Sequence, residues 1–110
     1  MIVVIFEVKV KPGGIKEYLQ LASGFRKTLD DIDGFISVER FTSLTNEGKL
    51  VSLSFWESEE AVSAWRNSID HKRAQQKGRF ELFNAYRIRV AKVLRDYVAP
   101  TAENRRLNRS

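Results

Sequence analysis

The chain opens on a regular alternation. Between residues 2 and 10, Ile2, Val4, Phe6, Val8 and Val10 fall on one side and Val3, Ile5, Glu7 and Lys9 on the other, which predicts a strand buried on one face and largely on the other. Lys11-Pro12-Gly13-Gly14 ends it, because proline cannot donate to a ladder and glycine favours a turn. From Ile15 the period lengthens. Ile15, Tyr18, Leu19, Ala22, Phe25, Leu29 and Ile32 form one apolar stripe with Lys16, Glu17, Arg26 and Lys27 outside it, as in an amphipathic helix lying on a sheet. Asp33-Gly34 punctuates the next change. Residues 35–43 read as a second strand, Asn46-Glu47-Gly48 as a turn and residues 49–57 as a third strand, together a hairpin. On that third strand Val51, Leu53 and Phe55 share one face, and Leu50, Ser52, Ser54 and Trp56 the other.

Ser58 is suited to accept hydrogen bonds from the first amides of a following helix, and Glu59 and Glu60 suit its positive end. That helix carries Ala61, Val62, Trp65 and Ile69 inward. The polar stretch from His71 to Gly78 either prolongs it or forms a short helix after a bend, with Gly78 as the stop. Residues 81–97 then read as a long last strand, with Leu82, Tyr86, Ile88, Val90 and Leu94 on one face and Phe83, Ala85, Ala91 and Val93 on the other. The order predicts an α+β, ferredoxin-like βαββαβ fold: one antiparallel sheet with both helices on one face. The other face is apolar too, so a homodimer joined sheet to sheet is expected. Residues 1–98 are expected to form the domain and 99–110 a polar, basic tail, with residues 100–110 expected to be dispensable for folding.

Composition narrows the picture. A chain of 110 residues has room for one core, and 43% apolar with 30% charged residues is an ordinary globular balance. The absence of cysteine excludes disulfides, thiolate metal sites and a thiol nucleophile together. Glu7 breaks the apolar opening, and no basic leader or cleavage site accompanies it, so a strand rather than a signal peptide is expected. No apolar run approaches the ~20 residues of a membrane span, and a cytoplasmic location is the expectation. The net charge of +5 is uneven: residues 66–95 hold nine basic and two acidic side chains, residues 1–65 seven and ten. Those basic residues alternate with apolar strand positions and match no nucleic-acid motif, so a solvated basic face is expected rather than a nucleic-acid partner.

Chemistry has few candidates. His71 is the only histidine, so a general base, a proton shuttle or an axial iron ligand of imidazole type has to be this residue, whose plainer alternative is to cap a bend after Asp70. If the helix runs on unbroken, Asn67, His71 and Gln75 fall on one face at spacings of four. Glu7 shares a strand face with Val3 and Ile5. Apolar surroundings would favour its neutral acid, able to move protons, whereas Arg87 or Arg89 across the sheet would hold it in an ion pair. Tyr86 is placed either to hydrogen-bond a quinone or phenol oxygen or to fill the core. No glycine-rich phosphate loop, clustered metal ligands or nucleophile elbow is present, so no nucleotide, flavin or metal site is expected.

The run Ser54-Phe55-Trp56-Glu57-Ser58-Glu59-Glu60-Ala61-Val62-Ser63-Ala64-Trp65-Arg66, followed by His71 and by Tyr86-Arg87-Ile88-Arg89-Val90-Ala91, resembles the antibiotic biosynthesis monooxygenase domain family, nearest its haem-degrading-type branch, over about residues 1–97. The resemblance implies a dimeric α/β barrel and a choice among cofactor-free oxygenases of aromatic compounds, quinol oxygenases and haem-degrading monooxygenases. It also places Trp65, nine residues after Trp56, where haem-degrading relatives carry a tryptophan against the ligand; an ordinary core tryptophan bridging helix and sheet is the alternative, and its indole could serve both ends. The chain departs from the haem pattern at two points. Gln75 stands ten residues after Trp65, where that group has its ligand histidine, and Glu7 stands where it has an asparagine. The leading expectation is therefore a small monooxygenase that oxidises an apolar aromatic or quinone-like molecule with O2 and no dedicated cofactor. Trp65, His71 and Glu7 are its candidate catalytic residues, and Asn67, Gln75 and Tyr86 its candidate substrate contacts. Haem binding or degradation is the first alternative, and a non-catalytic ligand-binding or stress-response dimer the second.

Overall fold

A computed structural model of the chain describes residues 1–75 and 83–99, with the side chains of residues 25, 69–75 and 83–85 outside the description. The elements follow in the order β1 (Ile2–Val10), α1 (Ile15–Asp30), β2 (Phe35–Thr42), β3 (Lys49–Trp56), α2 (Glu59–Gln75) and β4 (Phe83–Lys92). The four strands make one sheet in the order β2-β3-β1-β4, and every neighbouring pair is antiparallel. This is the expected α+β ferredoxin-like arrangement. No helix among the described residues is long and apolar enough to cross a membrane.

Strand alternation sets which residues meet the helices. Ile2, Val4, Val8 and Val10 of β1 are buried on the helix side. Ile2 and Val4 join Leu29 of α1, Trp56 of β3, and Ala61 and Val62 of α2 in one core cluster. Val8 and Val10 join Tyr18, Leu21 and Leu50 in a second. Burying an aliphatic side chain of this size stabilises by about 1.5–3 kcal/mol, so these two clusters fix how both helices sit. The inward stripe of α1 is rotated from its expected phase: Leu21 is buried, while Ile15 and Leu19 are 42% and 46% exposed. Leu19 lies about 100° around the helix from Tyr18, past the edge of the buried stripe.

Two turns are set by local chemistry. Gly34 has φ +93°, a region closed to most side chains, and a Cβ there would lie 2.8 Å from the Ala61 Cβ; its carbonyl accepts the Glu57 amide at 2.8 Å. Close approach of chain and helix at this corner therefore requires glycine. At the start of α2, Ser58 Oγ accepts the Ala61 amide at 3.2 Å, the expected cap.

The hairpin strands close on the expected residues to within one position, and α2 continues unbroken through residue 75. The last strand does not. It was expected over residues 81–97, but β4 ends at Lys92 and residues 93–99 carry no strand. Among the described residues its ladder partner is β1, whose first strand residue is Ile2, and the pairing closes with the Val93 amide donating to the Met1 carbonyl at 3.0 Å. Gly78, Leu82 and the tail from residue 100 lie outside the described residues.

Candidate functional site

The helix side of the sheet is only partly covered. Tyr86, Ile88 and Val90 on β4 pair across the ladder with Val8, Phe6 and Val4, so they face the same side as the core. They nevertheless remain 49%, 45% and 51% exposed. With Phe6, whose ring centroid is 5.9 Å from that of Tyr86, they form an apolar floor over β1 and β4. Half-exposed aromatic and branched side chains side by side are what a site for an apolar small molecule requires.

One wall beside this floor is built from two tryptophans. Trp56 has 0% exposure; Phe35 meets its ring edge-on at 5.2 Å and Trp65 of α2 at 5.6 Å. Its indole N–H donates to Ser54 Oγ at 2.9 Å, so the ring has one orientation. Trp65 itself is half-buried, packed against the Ile2, Val4 and Trp56 cluster. It thus serves as a helix-to-sheet bridge and keeps part of its ring outside the core.

Asn67 is exposed on α2. Two positions beyond Trp65 the helix has turned through about 200°, so the structure does not bring these two side chains together. Positions 67, 71 and 75 do recur at spacings of four along a continuous helix; the side chains of His71 and Gln75 lie outside the described residues.

Glu7 points to the opposite face of the sheet, where its neighbours across the ladders are Val51 and Arg87. Arg89 Nη1 donates to its Oε2 at 2.9 Å and Lys49 Nζ approaches Oε1 at 3.4 Å. Loss of hydration pushes the Glu7 carboxyl up, but Lys49 and Arg89 together outweigh it and hold the group below the usual carboxylate range. Of the two readings of this residue, the structure realises the ion pair, and the site over β1 and β4 is on the other side.

A polar pair on the helix side was not foreseen. Arg40 on β2 lies near Tyr18 of α1; burial pushes the Tyr18 phenol up although Arg40 pulls the other way. Arg40 Nε is sealed from solvent without a hydrogen-bond acceptor. The signal was present in the alternation, since residue 40 shares the phase of Val38 on its strand and a basic residue on an inward phase demands a partner.

A second depression of 470 Å³ lies open to solvent between the 31–34 corner and the start of α2, lined among others by Asp31, Asp33, Glu57 and Glu60. Among the described residues no three His, Cys, Asp or Glu side chains converge as a metal site.

Comparison with known proteins bears on this geometry. The profile of the family described as antibiotic biosynthesis monooxygenase matches residues 1–77. A protein of Pyricularia oryzae named jasmonate monooxygenase is 41% identical over 93 residues, 84% of this chain and 43% of the relative. The Bacillus subtilis protein YqjZ is 36% identical over 63 residues, 57% of this chain and 54% of the relative. The chain thus spans about half the length of the curated relatives it matches. Among solved structures, a MhuD variant with two manganese protoporphyrin IX groups per active site superposes with a TM-score of 0.75 at 19% identity, over 90% of this chain and 100% of that one, a likeness of fold.

Proposed function

The chain belongs to the antibiotic biosynthesis monooxygenase family, and on that premise we propose that it is a homodimeric monooxygenase that oxidises an apolar, aromatic or quinone-like small molecule with O2 and no dedicated cofactor. The observation that carries this reading is the floor of half-exposed Tyr86, Ile88 and Val90 on the helix side of the sheet, with the more deeply set Phe6 next to Tyr86 and Trp65 beside the adjoining core. A jasmonate monooxygenase among the relatives favours oxidation of a small organic molecule.

The chemistry asks little of the protein. An electron-rich phenol or quinol, AH2, supplies its own electrons: with O2 it gives AO and water. What the protein adds is a dry, oriented setting and a base that takes the phenolic proton, so that the anion passes an electron to oxygen. Trp65 and the floor supply apolar contact, and Tyr86 is the proposed contact for a substrate oxygen. His71, on the last turns of α2, is the proposed base, with Asn67 and Gln75 at neighbouring turns of the same helix. The homodimer uses the opposite sheet face, where Val3, Ile5, Val51, Leu53 and Phe55 are only half-covered.

Oxygen uptake with a panel of anthrone- and hydroquinone-type substrates tests the reading. Turnover should fall by about 10²- to 10⁴-fold in His71→Ala, the usual loss for a general base, with the far-ultraviolet spectrum unchanged. Unaltered turnover by the folded variant would remove His71 from the mechanism. Haem is the alternative ligand. Its iron would take the His71 imidazole or the Tyr86 phenolate, and a Soret band that appears on adding haem and is lost in either variant would replace the cofactor-free reading.

A further inference from the structure

Among the described residues, the face of the sheet turned away from the helices carries no buried side chain. Val3 and Ile5 on β1 and Val51, Leu53 and Phe55 on β3 are only partly covered, and Phe41 on β2 is 45% exposed. An apolar surface of this kind ordinarily marks an interface. Its charges are sorted by edge. Glu39, Leu53, Ile5 and Arg89 are successive cross-strand partners, and so are Phe41, Val51, Glu7 and Arg87. With strands about 4.8 Å apart, each row crosses the whole sheet in roughly 14 Å. The β2 edge therefore holds a carboxylate and the β4 edge two guanidiniums. Arg89 is held by Glu7. Glu39 and Arg87 are both exposed, and neither belongs to an ion pair among the described residues.

Strand order and direction narrow how a second copy can sit on this face. β2 and β4 are the two edges of the sheet, and neither contains a proline to blunt it. Because all three pairings are antiparallel, β2 and β4 run in opposite directions. A two-fold axis between the faces and along the strands keeps strand direction and exchanges the edges. It brings β4 of one copy beside β2 of the other, in antiparallel sense. An axis across the strands instead sets β4 against β4, with Arg87 and Arg89 facing their own copies. The first arrangement joins opposite charges and the second like charges.

We propose that two copies of the chain join these faces about an axis along the strands, so that Glu39 of each protomer meets Arg87 at the edge of the partner's β4. The pair occurs twice by symmetry and flanks the apolar contact, which fixes the orientation in which Val3, Ile5, Val51, Leu53 and Phe55 are covered. The same arrangement accounts for β4 on its other face. Tyr86, Ile88 and Val90 are half-exposed beside an edge that the partner's β2 closes, so each ligand floor is bordered by the other protomer. This rests on the homodimer proposed above and supplies its geometry.

Sedimentation across a dilution series at low salt tests it. Glu39→Lys and Arg87→Glu should each weaken the dimer by about 10-fold or more, since either change turns two attractions into two repulsions. Their combination restores opposite charges and should return the dimer to within about threefold of the wild type. Glu17→Lys, the same change of charge on the exposed side of α1, should have less than about a twofold effect. Either single variant dimerising as tightly as the wild type overturns the proposal, as does a double variant as weak as its singles combined. So does an equal loss in Glu17→Lys, since net charge would then explain it. The chain has no cysteine, so a short bismaleimide gives a readout independent of charge. Glu39→Cys combined with Arg87→Cys should yield a covalent dimer, and neither variant alone should. Cross-linking of Arg87→Cys to its own copy would put β4 against β4 and overturn the orientation. If Leu53→Lys dissociates the dimer while the charge variants change nothing, the face stands as the interface and the orientation falls. If the wild type sediments only as a 12.7 kDa protomer, the homodimer and its geometry fall together, and oxygen uptake still decides the reaction.

Discussion

Ser54→Ala offers a direct test of how the core holds the tryptophan wall. The hydroxyl of Ser54 is the acceptor for the Trp56 indole N–H at 2.9 Å, and both residues are buried, Trp56 completely. Removing one oxygen leaves almost no cavity, so the change isolates the hydrogen bond. A typical bond contributes about 1 kcal/mol net, but a buried donor left unpaired costs about 1–3 kcal/mol; about 2 kcal/mol is expected here. For a domain of this size that is a fall in Tm of about 8 °C. Thermal unfolding has to be compared at one protein concentration, because the Tm of the proposed dimer would depend on it. In a Trp56→Phe background there is no indole to orphan, so Ser54→Ala should cost less than about 0.5 kcal/mol. Trp65 sits 5.6 Å from Trp56, so the single variant should also alter tryptophan emission. An equal cost of Ser54→Ala in both backgrounds would show that the hydrogen bond is not what holds the ring.

Gly34→Ala should destabilise by at least about 2 kcal/mol in urea unfolding, since φ +93° opposes a side chain and the new Cβ would meet that of Ala61 at 2.8 Å; a change under 0.5 kcal/mol would mean the corner relaxes freely. Glu7 is held below its unfolded pKa by Lys49 and Arg89, so its stabilisation is present above the ordinary carboxylate range and is lost as pH falls through the folded value. The urea midpoint of Glu7→Gln should accordingly drop less than that of the wild type on acidification from pH about 5 to about 3, and parallel curves would refute the linkage. Sedimentation at micromolar concentration should give twice the 12.7 kDa protomer mass; a monomer alone would remove the sheet-to-sheet dimer.

The order of elements was legible because each change of hydrophobic period coincided with a breaker: Pro12-Gly13-Gly14 before α1, Asp33-Gly34 before β2, Ser58 before α2. Local signals of this kind act within a few residues, and they fixed both helix starts. The end of β4 had no such signal. Leu94 on one face and Val93 on the other carry the apolar pattern past Lys92, and only the pairing of β4 with β1, whose first strand residue is Ile2, shows where the ladder ends. Glu7 is a similar case: its face could be read from alternation, but Lys49 and Arg89 are brought to it from 42 and 82 positions away.

Alternation alone also hid what separates the two faces of the sheet, because β1 is apolar on both. The structure divides them by what stands opposite. On the side away from the helices, Val3 and Ile5 are level with Phe55 and Leu53, all only partly covered, and Glu7 is tied to cations, so this is an apolar face with its central carboxylate neutralised, as the proposed second protomer requires. On the helix side, β3 presents Ser52 and Ser54 where its other positions are Leu50 and Trp56. Two small residues at the centre of that strand hold the helices' large side chains at either end, around Trp56 and around Leu50. Between them Phe6 packs against the Leu50 cluster and reaches to 5.9 Å from the Tyr86 ring, so the second core runs on into the exposed apolar floor of β4.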